Sequence, residues 1–384
     1  MARQCNRLHS SEPKTKYSNL IFEYFCSKCN EAYFCLRKIM TRLLTYYEIN
    51  PLAWKKLVDE SPYATWFQTQ EAYQFYAANK EEMQPFAFAV AEEASMPNSL
   101  IAQSHYNLKA LCVGYVTRER NALKQLFTRR AIIIGGPLIA NDATEHDIEL
   151  LLRVVTSELH SQAIYIETRN FNDYSSWKSV FQKCGFAYQP HLNFHIDTTS
   201  EEIAQSNIGK HRWKYIRLSI RDGATMVENP TIEQVRECYE LLKELYTTRV
   251  KTPLFSWNFF EKLYHQPNAR YLLVDLDGKI VGGTVCVCLP NKALYEWFVC
   301  GNDFYRKGIR PSSVATWYGM QYAARNGYPL FDLMGAGRPD EPYGVRDFKA
   351  EFGGKLVEHG RFLCVRKPLL YWIGKLGVKL LKKR

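Results

Sequence analysis

A lysine set between aromatics, Phe348-Lys349-Ala350-Glu351-Phe352, follows a stretch that reads as a buried strand running into glycines, Phe331-Asp332-Leu333-Met334-Gly335-Ala336-Gly337. Glycines at the C-terminal end of a strand let a ligand approach the backbone closely, which makes Gly335 and Gly337 candidate binding positions. A lysine fixed by flanking phenylalanines is a positive charge held in place, useful where negative charge develops during a transfer reaction. Asp332 and Glu296 are the carboxylates placed to manage a proton beside it. A buried mid-strand carboxylate more often caps backbone donors, and that is the expected role of Asp332. No Ser-His-Asp or Cys-His set accompanies them.

Upstream lies a dense cationic run: Lys210, Arg212, Lys214, Arg217 and Arg221. Trp213, Ile216 and Ile220 would bury one side of this segment and aim the cations from the other. Arg and Lys converging on one surface suit a diphosphate, as in a sugar-nucleotide or lipid-linked precursor. A solvated charged helix face is the competing reading. Arg169, at a strand end, is positioned to meet an anionic group. Arg306-Lys307-Gly308-Ile309-Arg310-Pro311-Ser312 is the best candidate for a phosphate-binding loop at a helix N-terminus. It has one glycine where such loops usually have two, and Pro311 removes a backbone donor. Arg310 itself could bind phosphate.

The elements that must position these residues alternate between strand and helix. Strands are predicted over 85–91, 108–117, 130–140, 163–168 and 189–196, with helices over 145–160 and 174–184. The second half repeats the order. A helix is predicted over 232–248, and a hairpin of 270–275 and 279–289 turns at Asp277-Gly278. A strand over 293–300 follows, then a helix over 311–326 with Pro at its start and Gly327 past its end, and a strand over 329–334. The fold class is therefore α/β: two copies of a unit of ~150 residues, each a mixed, mostly antiparallel sheet flanked by helices. The units are expected over 40–200 and 201–366.

The chain has 384 residues, net charge +11 and 11 cysteines, with 25 Tyr, 21 Phe and 8 Trp. That is ample for two cores, and no apolar run reaches the ~18 residues of a membrane span. Residues 1–39 look unlike the rest and read as a leader of uncertain status. They lack the apolar core of a secretory signal, so a cytoplasmic location is expected. Cys26-Ser27-Lys28-Cys29 has the spacing of half a zinc site, with Cys5 and Cys35 nearby, but a second such pair is missing and no metal is expected. Cys112, Cys184, Cys238, Cys286, Cys288, Cys300 and Cys364 read as small buried hydrophobes. From Arg366 to Arg384 the chain carries seven Lys or Arg and no acid. Its Leu369, Leu370, Trp372, Ile373, Leu376, Val378 and Leu380 are spaced for a helix with one apolar side. Residues 367–384 thus form an expected basic amphipathic helix, suited to an anionic membrane surface or to docking on its own domain.

From about Ile49 to Arg366 the chain resembles the Fem family, the non-ribosomal aminoacyltransferases that build peptidoglycan interpeptide bridges on two GNAT-like (N-acetyltransferase-like) domains in tandem. The resemblance rests on Tyr328-Pro-Leu-Phe-Asp-Leu-Met-Gly335, Phe348-Lys-Ala-Glu-Phe-Gly-Gly354, the segment Gly209–Gly223 and Ser61-Pro-Tyr-Ala-Thr-Trp-Phe-Gln-Thr-Gln70. It implies transfer of an amino acid from aminoacyl-tRNA to an amine of a lipid-linked or nucleotide-linked muropeptide, with no bound cofactor. It also implies that Lys349 stands near the acyl-transfer centre, and that Arg217 and Arg221 are the best matches for contacts to the precursor phosphates. The family's long coiled-coil arm is absent. Phe75-Tyr76 stand where a related enzyme type has a precursor-binding lysine, and Glu167-Thr168-Arg169 departs from the acid expected at that strand end. Two other readings stay open: an acyl-CoA-dependent GNAT N-acyltransferase using acetyl-CoA or a relative on an amino sugar, and a non-catalytic membrane-associated binding protein.

Overall fold

A computed structural model describes residues 41–93, 106–119 and 121–382. The expected leader over 1–39, with Cys5, Cys26, Cys29 and Cys35, lies outside them. Among the described residues fifteen strands form two sheets. In chain order the first repeat supplies β1 (Thr41–Thr45), β2 (Met83–Glu93), β3 (Tyr106–Thr117), β4 (Arg130–Gly135), β5 (Leu138–Ile139), β6 (Tyr165–Asn170), β7 (Ala187–Gln189) and β8 (Leu192–Asp197). The second supplies β9 (Thr225–Val227), β10 (Ala269–Leu276), β11 (Lys279–Leu289), β12 (Ala293–Gly301), β13 (Leu330–Asp332), β14 (Lys355–Glu358) and β15 (Arg361–Val365).

One sheet runs β1-β2-β3-β4-β6-β15-β7, with β5 paired to β3; the other runs β14-β8-β13-β12-β11-β10-β9. All pairs are antiparallel except β4 with β6 and β12 with β13. Each parallel pair needs a crossover helix: the amphipathic Glu145–Glu158 supplies it in the first repeat and the largely buried Pro311–Arg325 in the second. Thr144 caps the former with a capping box, and Pro311 opens the latter. The mixed, mostly antiparallel sheets flanked by helices are those expected from the sequence.

The repeats exchange their last strands. β8, from the first repeat, lies between β13 and β14; β15, from the second, lies between β6 and β7. The single strand predicted over 189–196 is therefore two strands in different sheets. The chain leaves one sheet at Pro190-His191, where proline has no N–H for a ladder. The strand predicted over 130–140 likewise breaks at Gly136-Pro137, and that over 329–334 shortens to Leu330–Asp332. The 232–248 helix ends at Leu245 and unwinds through a π turn over Tyr246–Val250.

Burial follows the strand period. Leu294, Phe331, Phe194 and Ile196 pack behind the second sheet against the Pro311–Arg325 helix, while Ile148, Leu151 and Val155 pack behind the first. Between the sheets a shared core joins both repeats. Phe67 meets Tyr295 and Trp297 edge-on at centroid distances of 5.9 and 5.1 Å, and Phe171 stacks on Tyr295. Of the seven cysteines expected to be buried, six are, and Cys184 is half-buried.

Candidate functional site

The two parallel strand pairs differ where ligand chemistry would sit. β4 and β6 pair along six positions, from Arg130–Tyr165 to Gly135–Asn170. β12 and β13 pair along only three, ending at Tyr295–Asp332, although β12 continues to Gly301. Beyond that point the second sheet opens. Trp297 is the extra residue of a bulge in β12, since Phe298 pairs with Val285 and Glu296 with Cys286. Met334 adopts a left-handed backbone (φ 54°) and Gly335 follows at φ 111°, turning the chain away from the sheet. A strand that ends in such a turn exposes its terminal backbone groups to whatever enters the gap.

Lys349 projects into this gap from the short helix Gly344–Ala350. Its Nζ donates to the carbonyl oxygens of Leu333 and Gly335, the latter at 2.8 Å. Two of its three N–H donors thus pin the strand end. The residue is 9% exposed. Burial lowers its pKa from the usual lysine value, against the opposing pull of the Glu296 and Asp332 carboxylates. The flanking Phe348 and Phe352 meet each other edge-on at 5.2 Å, and Gly353-Gly354, both in the left-handed region, let the chain pass His195 and Asn207 where a Cβ would collide.

Glu296 and Asp332 lie on opposite faces of the sheet. Glu296 is buried toward the Pro311–Arg325 helix and accepts from the Thr284 hydroxyl at 3.2 Å. Burial pushes its carboxyl up to about 7, with the Lys349 charge pulling the other way. Asp332 faces the other sheet. Its Oδ1 accepts from the Met334 N–H at 2.6 Å and from Asn193 Nδ2 at 2.7 Å, and Asn193 Oδ1 in turn accepts from the Gly335 N–H at 2.7 Å. The expected capping role of Asp332 is what these contacts describe. Asn193 and His195 come from β8, so the first repeat furnishes part of the second repeat's site. The alternation His191-Leu192-Asn193-Phe194-His195 marks these polar residues as sharing one strand face, though not which sheet they join.

The remaining candidates are spread. Gly337 packs under Tyr343. Arg169 is half-buried in the first sheet and pairs with Glu167 at 3.2 Å, beside Arg361, which pairs with the same carboxylate at 2.7 Å. Burial alone would raise Glu167, but the two guanidinium charges overcome it and hold the carboxyl at about 2. Arg361 also donates to His191, which lies against Gly335, so this cluster abuts the open strand end. Arg212 departs from the expected substrate role. Its guanidinium pairs with Glu351 at 2.9 Å, donates to Ser313 and covers the Phe348 ring at 4.7 Å. It clamps the Lys349 helix to its own helix, Lys210–Arg221. Lys210, Lys214, Arg217 and Arg221 form an exposed stripe along that helix, with Arg221 paired to Asp222. Arg310 sits over Tyr215 at 5.5 Å, and its N–H donates to Ser219 Oγ, joining the stripe to the start of the Pro311–Arg325 helix.

That helix start already holds an acid. Asp303 accepts from the Ser312 N–H at 3.1 Å and from the Ser312 hydroxyl at 2.8 Å, taking the anion position of the N-terminus. Among the described residues no group of three His, Cys, Asp or Glu is placed to hold a metal ion, and no helix is long and apolar enough to cross a membrane.

Residues 210–349 match the family model of the acetyltransferase (GNAT) domain. No curated protein matches the sequence. Among solved structures the chain is similar to FemX, at 12% identity and a TM-score of 0.63, over 86% of this chain and 99% of that one. It is also similar to L-PGS from Bacillus licheniformis, at 14% identity and a TM-score of 0.50, over 87% of this chain and 97% of that one. The chain thus shares the fold of FemX, and residues 210–349, in its second repeat, match an acetyltransferase domain of GNAT type.

Proposed function

We propose that this tandem GNAT-fold chain moves an aminoacyl group from aminoacyl-tRNA to an amine of a peptidoglycan precursor. The observation that carries the reading is the gap between β12 and β13, with Lys349 inside it, set against the fully paired β4 and β6. Acyl transfer to an amine needs no protein nucleophile, because the amine attacks the ester carbon directly. It does need charge compensation for the tetrahedral oxyanion, and the third Lys349 N–H supplies it. Glu296, whose carboxyl burial pushes up to about 7, is the carboxylate whose charge opposes the effect of burial on this lysine.

The donor choice rests on Asp303. An acyl-CoA donor places a pyrophosphate at the helix N-terminus that follows β12. A carboxylate hydrogen-bonded to that terminus opposes a second anion there. The exposed stripe of Lys210, Lys214 and Arg217 beside Arg310 instead offers cations to a phosphate chain running over the surface.

A lipid-linked acceptor would bring the protein to the inner face of the cytoplasmic membrane, and the C-terminal helix Pro368–Lys382 suits that place. It is anchored through the Arg366 and Lys367 N–H groups to the Ile164 carbonyl and through Tyr371 against Tyr165. It leaves Leu369 and Trp372 72% and 63% exposed, beside basic residues.

The test is incubation with nucleotide-linked and lipid-linked muropeptides, giving charged tRNA in one arm and acetyl-CoA in the other. Extension of the peptide only with charged tRNA is expected. Product only with acetyl-CoA would sink the aminoacyl reading.

A further inference from the structure

The exchanged strand β8 brings a partly exposed imidazole to the face of the second sheet opposite Glu296. His195 lies directly across from Asp332 in the antiparallel β8–β13 pair. Its Nε2 stands 3.2 Å from Asp332 Oδ2; the contact is not aligned as a hydrogen bond, and both atoms are buried without a hydrogen-bond partner. Asp332 Oδ1 is already held by the Met334 N–H and Asn193, so the carboxylate cannot rotate away. The side chain of His195 is 18% exposed and that of Asp332 only 1%, so the imidazole is the member of the pair that solvent, or a substrate, can reach. Resting sites often hold such pairs slightly off hydrogen-bond alignment, which tightens when substrate binds.

We propose that His195 accepts the proton of the attacking amine, with Asp332 as its positioning residue. This rests on the acyl-transfer reading above. The neutral ring donates Nε2–H to Asp332 Oδ2, which leaves Nδ1 as the free base. As the amine nitrogen bonds to the ester carbonyl carbon, one N–H proton passes to Nδ1. When the carbon–oxygen bond of the ester breaks, that proton leaves with the oxygen as a hydroxyl. Asp332 stays ionised and stabilises the imidazolium between the two transfers. Glu296 cannot take this part, because it points to the opposite face, enclosed by Thr284 and the Pro311–Arg325 helix. The other groups around the ring are Lys355 across the β14 pair and His359, whose ring centroid is 5.2 Å away. Asp173 lies beyond His359 on the side of the first sheet.

Two measurements on the full chain test this. Nitrogen-15 NMR of the His195 ring in the neutral form should report the Nε2–H tautomer, and Asp332→Asn should shift it toward Nδ1–H. An Nδ1–H tautomer in the unsubstituted protein overturns the proposal whatever the activity. In the charged-tRNA assay, His195→Ala should lower kcat about 100-fold or more, with added imidazole restoring part of the loss and no comparable rescue of Glu296→Ala. Turnover unchanged in His195→Ala removes His195 while leaving the acyl-transfer reading intact. Absence of transfer by the unsubstituted protein with every donor counts against that reading instead, and the tautomer then decides the dyad by itself.

Discussion

At the scale of single residues, Lys349 does two things at once. Its ammonium closes the end of β13 onto the Gly344–Ala350 helix and puts positive charge between two buried carboxylates. Lys349→Met keeps the stem but removes the charge, so kcat should fall about 100-fold while the KM for the acceptor moves little. Thermal unfolding of the same variant reads the scaffold role separately. Equal kcat would remove Lys349 from the chemistry. Glu296 gives a pH signature. Its folded pKa of about 7 lies above the ordinary carboxylate value of 4.5, so the native state holds the proton more tightly than the unfolded chain does. The associated stability is fully present below pH 4.5 and is lost as pH rises through 7, on the order of 3 kcal/mol. Glu296→Gln should flatten this loss between pH 5 and 8 in chemical denaturation. A decline of unchanged size would show that the carboxyl is not the source.

At the scale of elements, the Pro311–Arg325 helix is decided at its first turn. Asp303 caps Ser312 by side chain and backbone, as an N-terminal acid does. Asp303→Ala should cost about 1 kcal/mol of stability, and it should raise the affinity for CoA measured by calorimetry, because the anion position becomes free. Firm CoA binding by the unsubstituted protein would overturn the account of the donor. The C-terminal helix supports a separate expectation. Its inner side holds Tyr165 and its outer side carries Leu369, Trp372, Ile373 and Leu376. Deleting residues 368–384 should abolish sedimentation with anionic vesicles while leaving transfer to a nucleotide-linked acceptor in place. Retained sedimentation would assign membrane contact elsewhere.

At the scale of the whole molecule, the strand exchange makes the two repeats one cooperative object. Without β8, strands β13 and β14 lose the partner between them, and Asp332 loses Asn193 and His195. Residues 201–384 expressed alone should therefore fail to show a cooperative unfolding transition. Supplying residues 40–200 in trans should restore one. Independent, two-state unfolding of the second half alone would show that the exchange is dispensable. The shared core gives the same expectation by another route. Phe67 is fully buried between sheets against Tyr295 and Trp297, and Phe67→Ala should cost about 3–5 kcal/mol felt by both repeats.

Local chemistry in the sequence determined the elements, the duplication and the pairing of Lys349 with a glycine-ended strand. Strand and helix periods, Pro311, Gly327 and Asp277-Gly278 act over a few residues, so they are legible without a fold. The stripe Lys210, Lys214, Arg217 and Arg221 was legible too, because its spacing repeats every three or four residues. What only the tertiary structure decided depends on contacts far apart in the chain. Arg212 resembles its neighbours in the run but turns onto Glu351 and Phe348, more than a hundred residues away. Asn193 and His195 sit in what reads as one strand with Gln189. Only the crossing at Pro190-His191 carries them into the other sheet, beside Asp332. Strand order is set by which edges remain open once both sheets have formed, and a period-two pattern fixes the face a residue takes but not the sheet it joins.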